Sequence, residues 1–162
     1  TDDGSGQLVD KFHAKNQYFI AARDAHVVGM IAVHDEPPFS ASQRLTDPAV
    51  LDRLGRRLLE VRLLAIEPLE RFRMVFAGLC WMVLRHARTQ GYDALLISGL
   101  QTRQAMYERL GFQPLGPAKQ SGEAWYVAMA LDVRHLPERI ETDVLRFNRR
   151  VRAPQTPTEP LR

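Results

Sequence analysis

Two adjoining segments limit what this chain can fold into more than anything else in it. Val61-Arg62-Leu63-Leu64-Ala65-Ile66 is a nearly continuous apolar run that Pro68 ends. That pattern belongs to a strand buried on both faces in the middle of a sheet. From Met74 to Gln90 the period becomes helical, with Phe76, Leu79, Cys80, Val83, Leu84 and Ala87 on one stripe. Gly91 stands where the left-handed residue that closes such a helix is expected. A buried strand feeding directly into a helix of this length is a βα unit, so the chain needs a layered sheet to cover both.

The flanking segments extend that unit. Tyr18-Phe19-Ile20-Ala21-Ala22 and residues 27–33 read as a hairpin joined by a turn at 23–26. A short helix is expected over 6–15. Residues 35–57 read as a long loop, with a short helix near 47–54 that Asp47 caps ahead of Pro48. Loops of this length often carry function. After the central helix come a buried strand at 94–97, a short helix at 101–110 and a strand opened by Gly111-Phe112. A last strand at 125–131 and a helix at 137–151 bearing Ile140, Val144, Leu145 and Phe147 follow. Residues 1–152 are expected to form one domain, and 153–162, with Pro154, Pro157 and Pro160, a tail or linker. The order predicts an α/β (α+β) fold.

Composition narrows the function. At 162 residues, with 45% hydrophobic and 25% charged residues, the chain has globular proportions. No apolar run approaches the roughly 20 residues of a membrane span, and the first residues lack the pattern of a secretory signal. A cytoplasmic setting is the default expectation. The single cysteine, Cys80, excludes an intrachain disulfide and a cysteine-built zinc site. The five histidines, His13, His26, His34, His86 and His135, lack the short spacing of metal ligands, so no metal is expected. The net charge of +3 comes largely from arginines near the C-terminus. No aromatic interleaving accompanies them, which argues against a nucleic-acid partner.

The segment Leu64-Ala65-Ile66-Glu67-Pro68-Leu69-Glu70-Arg71, with Gly78-Leu79 and the helix ending in Gly91-Tyr92-Asp93, resembles motif A of the GNAT N-acetyltransferase superfamily. Ala105-Met106-Tyr107-Glu108-Arg109-Leu110-Gly111-Phe112 resembles a second motif of that superfamily, at the right separation downstream. The resemblance implies a mixed, mostly antiparallel sheet with a central splayed strand pair flanked by helices. The superfamily's first strand and helix have no counterpart before residue 6. More narrowly, Leu8 to His13, Pro38-Phe39-Ser40, Glu60 to Ala65 and Gly116-Pro117 are similar to GNAT domains joined to PLP-dependent aminotransferases. A fused or neighbouring aminotransferase is therefore an implied partner, and a homodimer is left open. Glu60-Val61-Arg62 is also similar to the E-x-R of acyl-homoserine-lactone synthases and N-acyl amino acid synthases, which use acyl carrier protein.

The implied activity is N-acyl transfer from acetyl-CoA or another acyl-CoA to a small-molecule primary amine, by direct attack. The runner-up readings are a carrier-protein-dependent N-acyl amino acid synthase and a non-catalytic sensor or interaction domain. The resemblance places the donor's pyrophosphate against Arg71, Phe72, Arg73, Met74, Val75, Phe76 and Ala77. Met74 and Phe76 replace the superfamily's usual residues there, one of them glycine. It places an oxyanion-binding backbone N–H among Leu64, Ala65 and Ile66, at a bulge. Tyr107 is the implied general acid for the departing thiolate, or else a tyrosine that packs. Glu60 and Glu67 are the candidate bases for the amine, with an ion pair between Glu60 and Arg62 as the alternative. A wide cleft beside the central strand favours an enzyme, and bulky side chains filling it would favour the non-catalytic reading.

Overall fold

The sheet begins with a hairpin, β1 (Gln17–Arg23) and β2 (His26–His34), paired antiparallel. In a computed structural model of the chain, which describes residues 12–68 and 74–152, Asp24 and Ala25 make the connection with φ of 48° and 63°. Positive φ at both central residues gives the turn the twist that a two-residue hairpin needs. The helix expected over 6–15 lies mostly outside the described residues; His13–Lys15 form one 3-10 turn. In the long loop Asp47 accepts a hydrogen bond from Ala49 N at 3.0 Å and caps the 3-10 helix Pro48–Leu54.

β3 (Leu58–Ile66) pairs antiparallel with β2 and parallel with β4 (Ala94–Leu100). Between them runs α1 (Met74–Gln90), closed by Gly91 at φ 72°. After β4 come the 3-10 turn Gln101–Arg103, α2 (Gln104–Arg109), β5 (Gln113–Pro114), β6 (Lys119–Ser121) and β7 (Ala124–Asp132). The helix α3 (Glu138–Arg152) follows. The seven-stranded sheet has the order β1-β2-β3-β4-β7-β5, with β6 also on β7, and every pairing except β3 with β4 is antiparallel. This is the mixed, mostly antiparallel sheet flanked by helices that the sequence implies.

Two apolar clusters cover the sheet. On the α1 face Leu79 and Val83 pack with Val33, Leu59, Ile97 and Met129. Under the 39–51 loop Phe39, Leu45 and Leu51 pack with Leu58, Leu96 and Ala128. Leu59, Leu79, Leu96 and Met129 have 1% or less of their surface exposed, which makes them the stabilising centre. Among the described residues no helix is long and apolar enough to cross a membrane.

A polar knot ties the closed end of the central strand pair. Asp93 accepts from the backbone N–H groups of Arg56 and Arg57 at 2.8 and 3.0 Å, and Arg134 bridges it to Asp132. The Arg134 hydrogen bonds pull the Asp132 carboxyl down to about 2. Asp93 lies below its ordinary range chiefly through the Arg57 N–H. An acid whose folded pKa is depressed stabilises above its ordinary value and loses that contribution as pH falls to the folded value. The melting temperature is therefore expected to drop between about pH 4 and pH 2, and Asp132→Asn to flatten that limb of the profile.

Candidate active site

The β3–β4 ladder holds for Leu58↔Ala94, Leu59↔Leu95 and Glu60↔Leu96, and then stops. Beyond Glu60 the two strands diverge and a cavity of about 980 Å3 opens between them. Val61 to Ile66 form one wall and Ile97 to Leu100 the other, while α1, α2 and α3 contribute most of the rest. The knot at Asp93 and the cavity thus sit at opposite ends of one parallel pair.

This corrects the expectation of a strand buried along its whole length. Leu58, Leu59 and Glu60 are buried, but Leu63 and Leu64 are each 43% exposed. Their apolar side chains follow a strand that has lost its neighbour on one edge. On the other edge, Met30 pairs with Ala65 and Ala32 with Arg62, so Leu63 and Leu64 together stand opposite Ile31. Leu63 adopts φ 46°. Two residues against one, with one in the left-handed region, make a β-bulge, which re-aims the groups around it. Leu64, Ala65 and Ile66 all line the cavity just past the bulge.

Tyr107 also lines the cavity. Its ring rests against β4 at Gly99, where an added Cβ would come within 2.5 Å of a ring carbon. The absence of a side chain at Gly99 therefore sets how far Tyr107 reaches toward the bulge. Cys80, on α1, faces the same space, and burial pushes its thiol up to about 11. It stays protonated at neutral pH, which makes it a poor nucleophile.

The two carboxylates lie elsewhere, and neither lines the cavity. Glu60 is fully buried and accepts from Ser40 N at 2.9 Å, Ala41 N at 2.7 Å and His34 Nε2 at 3.0 Å. Arg62 Nη1 is 3.6 Å away and also donates to Ser40 Oγ at 2.8 Å. The His34 ring lies between those of Phe12 and Phe39, at 5.4 and 5.6 Å. Glu60 thus fastens the long loop to the central strand, and the Arg62 pair foreseen from sequence is one part of that hub. Glu67 is a half-exposed carboxylate bonded at 2.8 Å to His26, the first residue of β2.

Of the implied pyrophosphate turn, Arg71, Phe72 and Arg73 lie outside the described residues. Met74, Val75, Phe76 and Ala77 form the first turn of α1, whose N–H groups have no partner within the helix. Phe76 and Ala77 face the cavity, Met74 is exposed, and Val75 packs against Gly29. Sequence reasoning missed Trp81 and the α3 residues Ile140, Val144 and Phe147 as cavity walls. The signal was present as an i, i+4, i+7 stripe on an otherwise charged helix. Among the described residues no group of three or more side chains could hold a metal ion.

The strand pair is thus splayed beside a bulge, with Tyr107 lining the gap, as the GNAT resemblance implies. The family model of FeeM N-acyl amino acid synthases matches residues 1–133. The chain belongs to that family. It is an acyltransferase of the GNAT superfamily. No curated protein sequence matches it. The structure of FeeM, an N-acyl amino acid synthase from uncultured soil microbes, superposes with a TM-score of 0.65 at 23% identity, over 82% of this chain and 84% of that one. BjaI, a CoA-dependent acyl-homoserine lactone synthase solved with SAM and isopentyl-CoA, gives 0.67 at 19% identity, over 86% and 68%. An acyl-CoA N-acyltransferase from Pseudomonas aeruginosa gives 0.53 at 16% identity, over 80% and 73%. At these identities the likeness is one of fold.

Proposed function

We propose that this FeeM-family chain transfers a medium- or long-chain acyl group from a thioester to the amino group of an amino acid. The observation that carries this reading is the size and lining of the cavity. Its 980 Å3 are bounded mainly by aliphatic and aromatic side chains, among them Val61, Leu64, Phe76, Leu100, Val144 and Phe147. An acetyl group would leave most of that apolar surface uncovered, whereas each methylene buried there contributes about 0.8 kcal/mol. The open cleft also weighs against a purely structural domain, since its walls stand apart rather than fill the gap.

In the proposed reaction the amine nitrogen attacks the thioester carbonyl carbon. Backbone N–H groups of β3 just past the bulge hold the developing oxyanion; one such donor is typically worth about 3–4 kcal/mol. The tetrahedral adduct collapses with cleavage of the C–S bond, and Tyr107 gives its proton to the departing sulfur. The nitrogen loses a proton to water, and Tyr107 recovers one from solvent. An amide and a free thiol result, with no acyl-enzyme on Cys80. In this reading a cavity-lining arginine meets the acceptor's carboxylate, and Arg62, Arg103 and Arg109 are the candidates.

The donor's carrier is either acyl carrier protein or CoA, and both present the same phosphopantetheine thioester. The test gives the protein one acyl chain on each carrier together with mixed amino acids. Free thiol and N-acyl amino acids are then followed by mass spectrometry. Product from one carrier identifies the donor, and no thiol release from either overturns the reading.

A further inference from the structure

The helix α3 begins at Glu138, beyond residue 133 where the family match ends, yet it forms part of the cavity wall. Its contacts show how it is held. At one end the Phe147 ring lies 5.5 Å from that of Trp81 on α1, and Trp81 Nε1 donates to Asn148 Oδ1 at 2.8 Å. Gly78 on α1 leaves room beside the Phe147 ring. At the other end Arg139 donates to the Arg109 carbonyl at the close of α2, and Arg88 of α1 pairs with Glu141. The helix therefore bridges α1 and α2 across the space into which the β3–β4 gap opens.

The inward side of this bridge is apolar except for Asp143. Ile140, Val144 and Phe147 face the cavity, while Leu145, on another side of the helix, is 56% exposed. Leu63 and Leu64 at the bulge line the same cavity as these side chains. We propose that Phe147, with Val144, forms the end wall of the acyl pocket and sets the length of acyl chain that the enzyme accepts. The inference rests on the acyl-thioester reading above. It adds a determinant on a helix that the family match does not include.

The experiment measures binding of saturated fatty acids of graded length by calorimetric titration to the full chain, to Phe147→Ala and to Val144→Phe. Free acids probe the pocket without requiring transfer. The wild type is expected to show a length optimum. Phe147→Ala should move it to longer chains, with affinity rising about fourfold for each further methylene admitted. Val144→Phe, which adds bulk toward the cavity, should move it to shorter ones. Circular dichroism and melting temperature establish that each variant is folded, and Val144→Phe carries the test if Phe147→Ala is not. An unchanged optimum in folded variants, or an equal loss of affinity at every length, overturns the proposal and leaves α3 as a brace. No fatty-acid binding by the wild type overturns it as well. A wild type that binds fatty acids with a variant-dependent optimum but transfers no acyl group defeats the proposed reaction and leaves the pocket assignment standing.

Discussion

Tyr107→Phe is expected to lower kcat about a hundredfold or more while leaving KM for the acyl donor and the melting temperature near their wild-type values. The expectation follows from where the hydroxyl is and what it holds. Tyr107 lines the cavity, and its hydroxyl has no hydrogen-bond partner among the described residues, so removing it breaks no hydrogen bond within the described chain. A thiolate leaving without a proton source must instead take one from water, and the rate falls by the contribution of a positioned acid. Steady-state kinetics beside thermal unfolding checks this. A kcat close to wild type would show that the tyrosine packs rather than reacts. Gly99→Ala tests the same geometry from the other side, since its Cβ pushes the ring away from β4 and should lower both activity and stability. The stability loss is expected to be recovered with Tyr107→Val, whose smaller side chain clears the clash.

The parts of the fold that depend on local periodicity could be read from the sequence. The 74–90 helix has the bounds its apolar stripe suggested, Gly91 closes it, and Asp47 caps the helix that Pro48 begins. The central strand was placed but its environment was misjudged. Leu63 and Leu64 are apolar whether they are buried or face a cleft, and a bulge exists only in register with a partner, here Met30 to Ala32. β6, made of Lys119, Gln120 and Ser121, escaped notice because an exposed edge pairing needs no apolar alternation. The hub at Glu60 was legible only through its neighbour Arg62, since its other partners lie 19 to 26 residues away in the chain. For the same reason the sequence places Ile140, Val144 and Phe147 on a helix without showing what they face. Periodicity identified the stripe, and only tertiary packing shows that it faces a space rather than a core.

Glu60→Ala is expected to destabilise the protein by about 3–5 kcal/mol, a large share of the stability of a single domain. Removing this carboxylate leaves the N–H groups of Ser40 and Ala41 and the His34 ring without their acceptor, and Arg62 without its counter-charge. Ala41 N and the His34 ring are shielded from water, and a buried donor left unpaired costs more than its bond contributes when made. Glu60→Gln should cost less but still be felt. An amide offers one acceptor oxygen where the carboxylate uses two, and its NH2 group must then face a donor. Denaturant unfolding of both variants measures the ranking. A catalytic base at this position predicts the opposite pattern, with Glu60→Gln folded as stably as wild type and impaired in turnover alone. The burial of Glu60 and its three short hydrogen bonds favour the structural role. In that role the residue fixes the loop carrying Phe39 to Leu45 against the strand that carries the bulge, and so holds the loop in register with the β3 wall of the cleft.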